Sequence, residues 1–486
     1  MTKGTGMTRK SEVTFQMNQM IDKLPNIKIS TTPEDLICYS FDASGLEVSP
    51  SAVIWPSNTE DVVKVMRYAY DNSIPVIPRG AGTGMTAGAV PSRGAIILSF
   101  EKMNRILEID HENLNVLCEP GLINGKLQRE LEWIGLFYPP DPASMNFCTI
   151  GGNAAENAGG PRAVKYGVTR DYVMEIESVL PNGDVITTGV RTSKGVVGYD
   201  LTRLLVGSEG TLSVFTKIRL KILPLPEEVV TLLAIFDDLE SAGEAVSKIT
   251  SSKIIPRTLE FMDHEAITAV ENFKPVGLPK DVEAVLLIEL DGHPSAITKE
   301  AEKIADICQQ LGADIKMAED EDARNQLWAS RRAISPALYQ IKPTKINEDI
   351  VVPRNMVTEM LKRLRKLSEE SGIKIVNFGH AGDGNIHVNI MVDRKDKEEY
   401  ENGLNLVKQV FKDTLSLGGT ISGEHGIGLT KADYIGMEIH KTEIEIMESI
   451  KKVFDPKNIL NPGKIFSGIK HAERFSATCM DMNKSA

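Results

Sequence analysis

Cysteine is scarce in these 486 residues, and the little there is has no pattern. Cys38, Cys118, Cys148, Cys308 and Cys479 never pair as C-x-x-C. That excludes the usual iron–sulfur ligand runs within the chain and leaves no disulfide framework. If electrons pass through this protein, they must leave by a partner or a diffusible acceptor. Long apolar runs are missing too. VVTLLAIF and AVLLIEL fall far short of the ~20 residues a membrane-spanning helix needs, so no membrane span is expected. The opening MTKGTGMTRKSEVTFQMNQM is too polar for a secretory signal, which makes the cytoplasm the expected compartment. A basic excess is also absent: 55 Lys and Arg against 67 Asp and Glu give a net charge of −12. Without a basic stripe to displace counterions, nucleic-acid binding is not expected. Apolar residues at 42% and charged residues at 25% are ordinary for a globular protein.

The texture changes along the chain. Residues 11–24 have the pattern of an amphipathic helix with Phe15, Met17, Met20 and Ile21 apolar. Between 42 and 110 short β-rich runs alternate with helices: SAVIWP and IPVIP as strands, TEDVVKVMRYAYDN as a helix opened by Thr59, and GAIILSF as a strand. Short strands broken by Gly, Pro and Asn fill 111–226. From 227 onward strands such as TLEFMD, EAVLLIEL, DIVVP, IKIVNF and HVNIMV alternate with long helices, which predicts helices lying on an antiparallel sheet. The stretch 431–466 reads as mostly helical.

Glycine is abundant where cysteine is not. PVIPRGAGTGMTAGAVPSRG (75–94) follows a strand, and such a loop can form a nest of N–H groups for phosphate. Gly82, Gly84 and Ala87 fit the dinucleotide pattern G-x-G-x-x-A. That fingerprint needs a crossover helix, and Gly88, Pro91 and Gly94 break the segment that would supply it. A phosphate loop outside the standard nicotinamide fold is the remaining reading. PPDPASMNFCTIGGNAAENAGGPRAVKYG (139–167) and GSEGTL (207–212) add two more such loops. One glycine-rich turn alone is as often a plain turn; three in one region suit close backbone approach to an extended dinucleotide.

A second cluster is built on histidine. In GHAGDGNIHVN (379–389), Asp383-Gly384 is a hairpin signal. A two-residue turn there makes His380 face His387 across the ladder. Opposed residues have β-carbons about 4.5–5.5 Å apart, close enough for two imidazoles to share an ion. Alternation in IHVNIMV puts His387 and Asn389 on one face. GGTISGEHGIGLT (418–430) adds adjacent Glu424 and His425. Two histidines and a carboxylate with positions left open are a common catalytic metal set. A lone histidine is more often a hydrogen-bonded core or turn residue, but three of the eight histidines fall in these two segments.

Taken together, PSNTEDVVKV, the glycine loops, GHAGDGNIH, GEHGIG and NPGK resemble the FAD-linked D-2-hydroxyacid dehydrogenases of the vanillyl-alcohol oxidase superfamily. Glycolate oxidase large subunits, D-lactate dehydrogenases and D-2-hydroxyglutarate dehydrogenase are members of that group. The resemblance implies an α+β protein of four parts. These are an N-terminal helical segment (1–44), a two-part FAD-binding domain (45–226), an α+β substrate or cap domain with an antiparallel sheet (227–425), and C-terminal helices returning to the FAD domain (426–486). It implies that Arg79, Gly80, Ala81, Gly82, Thr83 and Gly84 hold the pyrophosphate. Asp141, Ser144, Gly151, Gly152, Asn153, Asn157, Gly159 and Gly160 would line the flavin and its ribityl chain. Tyr166, Gly167, Glu209, Asn461 and Lys464 would complete the cradle. Residues 79–94 contain no histidine or cysteine, so the FAD is expected to be non-covalent.

The same resemblance assigns His380, His387 and Glu424 to a divalent metal (Zn, Fe or Mn) and His425 to catalysis. It matches Arg331 in LWASRRAISPAL to a substrate arginine, with its neighbour Arg332 the lesser candidate, and points to Asn389, Lys345 and Ser335 nearby. A bidentate Arg–carboxylate pair orients an acid better than a lysine does. The implied activity is oxidation of a short D-2-hydroxy acid, D-lactate foremost, with electrons passed to an electron-transfer flavoprotein or an iron–sulfur subunit. A glycolate oxidase-like catalytic subunit, a non-catalytic flavin-binding scaffold, and an oxygen-using oxidase are the alternatives.

Overall fold

The computed structural model describes residues 9–466, with side chains described from Gln16 onward. Cys479 and the side chain of Phe15 lie outside the described residues. The N-terminal helix runs Arg9–Lys23; Met17 and Met20 are buried, but Ile21 is exposed rather than on the apolar face.

The first sheet has β1 (Lys28–Ser30), β2 (Ala52–Trp55), β3 (Val76–Arg79) and β4 (Ile96–Ser99) in the order β1-β2-β4-β3. β2, β4 and β3 are parallel, with β1 antiparallel at the edge. β2 (AVIW) and β4 (IILS) are buried at every position, with no polar–apolar alternation. The helix Thr59–Asn72 is capped by Asn58, whose Oδ1 accepts from Asp61 N–H at 2.9 Å, one residue before the expected Thr59. β3 connects to its parallel neighbour β4 through loop 80–95 without a helix, as Gly88, Pro91 and Gly94 require.

A second, antiparallel sheet is formed by β5 (Ile106–Asp110), β6 (Asn115–Cys118), β8 (Val173–Val179), β9 (Val185–Gly189) and β10 (Val214–Lys221), in the order β5-β6-β10-β8-β9. The short β7 (Leu136–Phe137) pairs with β11 (Leu223–Pro224).

The third sheet contains β12 (Glu228–Phe236), β13 (Thr258–Asp263), β14 (Ala284–Gly292), β15 (Asp314–Met317), β16 (Thr344–Val351), β17 (Ile375–His380) and β18 (Asn385–Val392). Its order is β15-β12-β14-β13-β17-β18-β16, antiparallel throughout. Helices Leu239–Ser251, Pro294–Gln310, Val357–Ser371 and Lys397–Ser416 pack on one face around Leu286, Ile288, Ile386 and Val388. Helices His264–Phe273 and Glu321–Leu338 cover part of the other, around Leu287, Ile334 and Met391. The rest of that second face is polar, and there the site lies.

The chain ends on the first lobe. Leu460 bridges Val76, and Ile459 and Leu460 join the core of Ile54 and Val76. Helix Lys441–Phe454 lays Ile450 and Phe454 on the second sheet's core. The last stretch is less helical than expected, with Ile435–Glu438 and Lys441–Phe454 as its α-helices.

Candidate active site and cofactor groove

An open groove runs between the glycine loops and reaches His425 and Glu424. Of the residues expected to hold the cofactor, Arg79, Gly80, Ala81, Gly82, Thr83 and Gly84 line one wall. Ser144, Gly151, Gly152, Asn153, Glu209 and Asn461 line the rest. Glycine is enforced by close approach: a β-carbon on Gly80 would collide with Thr149 Oγ1, and one on Gly151 would stand 2.6 Å from Pro120 Cβ. Gly82 (φ +70°) lies under the Arg79 guanidinium, which burial pulls below its ordinary pKa.

Seven expected cradle residues do not line the groove. Asp141 accepts from Arg162 N–H at 3.0 Å and pairs with its Nε at 3.2 Å; burial pushes its carboxyl up to about 6. Asn157 (φ +56°) ends a helix, and its Oδ1 accepts from Arg170 N–H at 2.9 Å. Gly159 backs onto Glu424 and Gly160 onto Asp141, while Gly167 (φ +80°) ends a short helix beside Asp171. Tyr166 donates to Asp291 Oδ2 at 2.8 Å, tying the two lobes together. Lys464 donates to Val90 O at 2.7 Å, and burial brings its ammonium down to about 8. Glu209, which does line the groove, spends its oxygens on Ile427 N–H (2.8 Å) and Gly428 N–H (2.6 Å). It thereby stitches the GEHGIG loop to the first lobe.

The β17–β18 hairpin differs from the expected one. His380 pairs with Asn385 and Phe378 with His387, so four residues, not two, form the loop. Gly384 has positive φ (+90°) and stands against Val352 O, and Gly382 N–H donates to Leu259 O at 3.0 Å. His380 and His387 are therefore diagonal neighbours on one face, still within reach of long side chains. Their Nε2 atoms lie 3.4 Å apart. Glu424 Oε1 is 3.5 Å from His380 Nε2 and 3.6 Å from His387 Nε2. A point equidistant from corners so spaced is about 2.0 Å from each, which is the bond length of Zn to imidazole N or carboxylate O. The donor set fits a divalent ion.

Outer groups orient these donors. Glu260 on β13 sits opposite His380, and its Oε1 meets His380 Nδ1 at 2.5 Å. Burial pulls the His380 imidazolium down, but Glu260 and Glu424 outweigh it and hold the pKa well above the ordinary value. Burial, then the neighbouring His380, holds His387 well below it. Glu260 Oε2 accepts from Arg331 Nε at 2.8 Å, and the guanidinium lies 4.6 Å over the Phe378 ring. One carboxylate thus joins a metal ligand to the expected substrate arginine. Ser335, one helical turn from Arg331, accepts from Lys345 Nζ at 2.8 Å, and burial lowers that ammonium to about 8. Asn389 is spent on structure: it accepts from Asn347 Nδ2 and donates to Val376 O and His387 O. Arg332 turns back to Asn325 O.

His425 lines the groove, its ring stacked 5.4 Å from His387 at 13°. Beneath it lies Asp349, directly opposite His387 on β16 and fully buried with Lys431.

Residues 225–465 match the family described as FAD linked oxidases, C-terminal domain, and residues 50–189 match the FAD binding domain. The chain is 45% identical to glycolate oxidase subunit GlcD of Bacillus subtilis (strain 168), covering 89% of this chain and 92% of that protein. This chain belongs to the FAD-linked D-2-hydroxyacid dehydrogenase family of the vanillyl-alcohol oxidase superfamily. A D-lactate dehydrogenase of Anaerostipes hadrus is 38% identical over 86% of this chain and 89% of its own. Among solved structures, p-cresol methylhydroxylase with substrate bound superposes with TM-score 0.81 at 18% identity, covering 96% and 98% of the two chains. A 4-ethylphenol oxidase from Gulosibacter chungangensis gives 0.75 at 19%, covering 96% and 99%. These two share the fold. No helix among the described residues is long and apolar enough to cross a membrane.

Within this family site, three groups escaped the sequence reading: Glu260, Asp349 and Lys431. Each left a faint signal. Glu260 interrupts the apolar strand TLEFMD, Asp349 follows Glu348 in the strand KINEDIVV, and Lys431 follows GEHGIGLT. A charge in the middle of a buried strand has to be paired, but its partner cannot be named from one strand alone.

Proposed function

We propose that this protein oxidises a short D-2-hydroxy acid, D-lactate foremost, to the 2-oxo acid and hands the electrons to a protein acceptor. An electron-transfer flavoprotein or an iron–sulfur subunit would suit, since the chain has no cluster spacing of its own. The observation that carries this reading is the meeting of the His380–His387–Glu424 triangle and His425 at the end of the FAD groove. Bound FAD would supply the hydride acceptor, and a divalent ion, which His380, His387 and Glu424 would hold, would supply a Lewis acid that eases loss of the hydroxyl proton. Arg331, braced by Glu260 and Phe378, orients the substrate carboxylate, with Lys345 and Ser335 at its flank. His425 takes the hydroxyl proton. Cys148 lines the groove, but burial pushes its thiol up, away from the thiolate a covalent tether needs. This supports non-covalent FAD.

Glycolate is the second reading. The greater identity to the glycolate oxidase subunit, 45% against 38% for the D-lactate dehydrogenase, favours it. Anaerobic mixing with D-lactate, L-lactate, glycolate and D-2-hydroxyglutarate, watching the flavin bleach, separates these. D-lactate bleaching fastest supports the first reading; glycolate fastest replaces it with the second, and no bleaching by any leaves a flavin-binding scaffold. Adding electron-transfer flavoprotein or air to the reduced protein then identifies the acceptor.

A further inference from the structure

Asp349 touches neither the groove surface nor the three ligand atoms, yet both of its oxygens serve the loop that carries the chemistry. Oδ2 accepts three successive N–H groups, from Gly423 at 2.9 Å, Glu424 at 2.6 Å and His425 at 3.1 Å. Oδ1 faces His425 Nδ1 at 3.5 Å and accepts from Lys431 Nζ at 2.6 Å. The other ring nitrogen, Nε2, faces the opposite way, 4.0 Å from Glu424 Oε1 at the corner of the metal triangle. Lys431 is anchored in turn by Ile421 O at 2.9 Å. A carboxylate at one ring nitrogen fixes the tautomer and leaves the lone pair on the other. Lys431 Nζ and the three loop N–H groups give Asp349 the partners of a carboxylate.

We propose that Asp349 is a positioning residue that holds His425 as its Nδ1–H tautomer, so that Nε2 accepts the substrate's hydroxyl proton, while Lys431 neutralises the buried carboxylate. The inference rests on His425 being the base. In the step, the substrate O–H bond breaks and its proton forms an N–H bond at Nε2. Nδ1 keeps its proton and Asp349 stays a carboxylate. The Cα–H bond breaks with its electron pair, which bound FAD would accept, so that the acid is oxidised as the flavin is reduced. The imidazolium then returns its proton to solvent. Without Asp349, Nε2–H is equally accessible, and that form has no lone pair where one is needed.

Asparagine separates orientation from simple clamping. Its amide oxygen still accepts from the loop, but its NH2 then faces Nδ1 and favours the Nε2–H tautomer. Full-length Asp349→Asn holoenzyme is therefore expected to keep its flavin, its metal and a KM within a few-fold, while kcat falls at least about 100-fold. The corresponding change in a Ser-His-Asp triad costs about 10⁴ in kcat. ¹⁵N-histidine NMR of the flavin-loaded protein reads the tautomer without turnover, with His425 assigned by its loss in His425→Ala. Protonated Nδ1 in the native protein and protonated Nε2 in Asp349→Asn is the expected pair.

An unchanged kcat, a native His425 protonated at Nε2, or a kcat loss that added metal and flavin fully restore would each overturn the proposal. If Asp349→Asn fails to fold, Lys431→Gln is read by the same NMR experiment: retained Nδ1–H supports Asp349 as the orienting group, and a switch to Nε2–H overturns it. A His425→Ala variant with native turnover would remove the base reading itself. A slow His425→Ala beside a normal Asp349→Asn removes only the present inference.

Discussion

His380 and His387 bring their Nε2 atoms to 3.4 Å although neither faces the other across the ladder. The diagonal works because both side chains leave the same face of the hairpin and Glu424 closes the third corner. One divalent ion per chain is expected by elemental analysis, and chelation should abolish turnover while the flavin stays bound. Full activity in metal-free protein would remove the Lewis-acid step.

Glu260 bonds both His380 and Arg331, so its loss should act on two properties at once. Glu260→Gln is expected to weaken metal affinity about 10–100-fold, the usual effect of losing a carboxylate behind a ligand histidine, and to raise KM. Competition with a chromogenic chelator measures the first, and steady-state kinetics the second. Native metal affinity in this variant would show that the Glu260–His380 bond does not tune the site.

His425 and Arg331 should fail in different ways. His425→Ala is expected to lower kcat by about 10²–10⁴, the range for a lost general base, with the yellow colour intact. Arg331→Ala should act mainly on KM, because it removes binding of a carboxylate that is not itself transformed. Equal effects on kcat and KM in both would argue against the division of labour.

Non-covalent flavin has a direct check. Acid precipitation of the protein should leave all of the flavin in the supernatant, with none on the pellet. Yellow pelleted protein that loses its colour attachment in Cys148→Ser would instead identify a tether.

Glu348 carries a pH signature. Burial pushes its carboxyl from 4.5 up to about 7, despite Lys431 at 3.6 Å. The folded protein therefore holds a proton that the unfolded chain releases between those values, and stability falls as pH rises through that window. Glu348→Gln mimics the protonated form. Its Tm should decline less than the native one between pH 5 and 8, with the variant gaining relative stability on the order of 1 kcal/mol or more by pH 8. Parallel Tm profiles would place the titrating group elsewhere.

Some of this was legible in the residues themselves. Gly88, Pro91 and Gly94 forbid a crossover helix, and the β3–β4 connection has none. Alternation put His387 and Asn389 on one face, and they are there. That assignment survived a wrong register because the true pairing shifts His380's partner by two residues, from His387 to Asn385. Side chains repeat every second residue, so a shift of two keeps every face and a shift of one would have reversed them.

What the sequence could not carry is partnership across distance. Asp383-Gly384 signals a tight turn, but contacts to Leu259 O and Val352 O open the loop to four residues. Glu260 is 120 residues from His380, and Asp349 is 76 from His425. Local chemistry fixes which segments bend, extend or approach a ligand, because turn geometry and period belong to neighbouring residues. Which buried charge meets which imidazole was decided only when β13, β17, β18 and β16 came side by side, since pairing energy depends on separation in space and leaves no spacing in the chain.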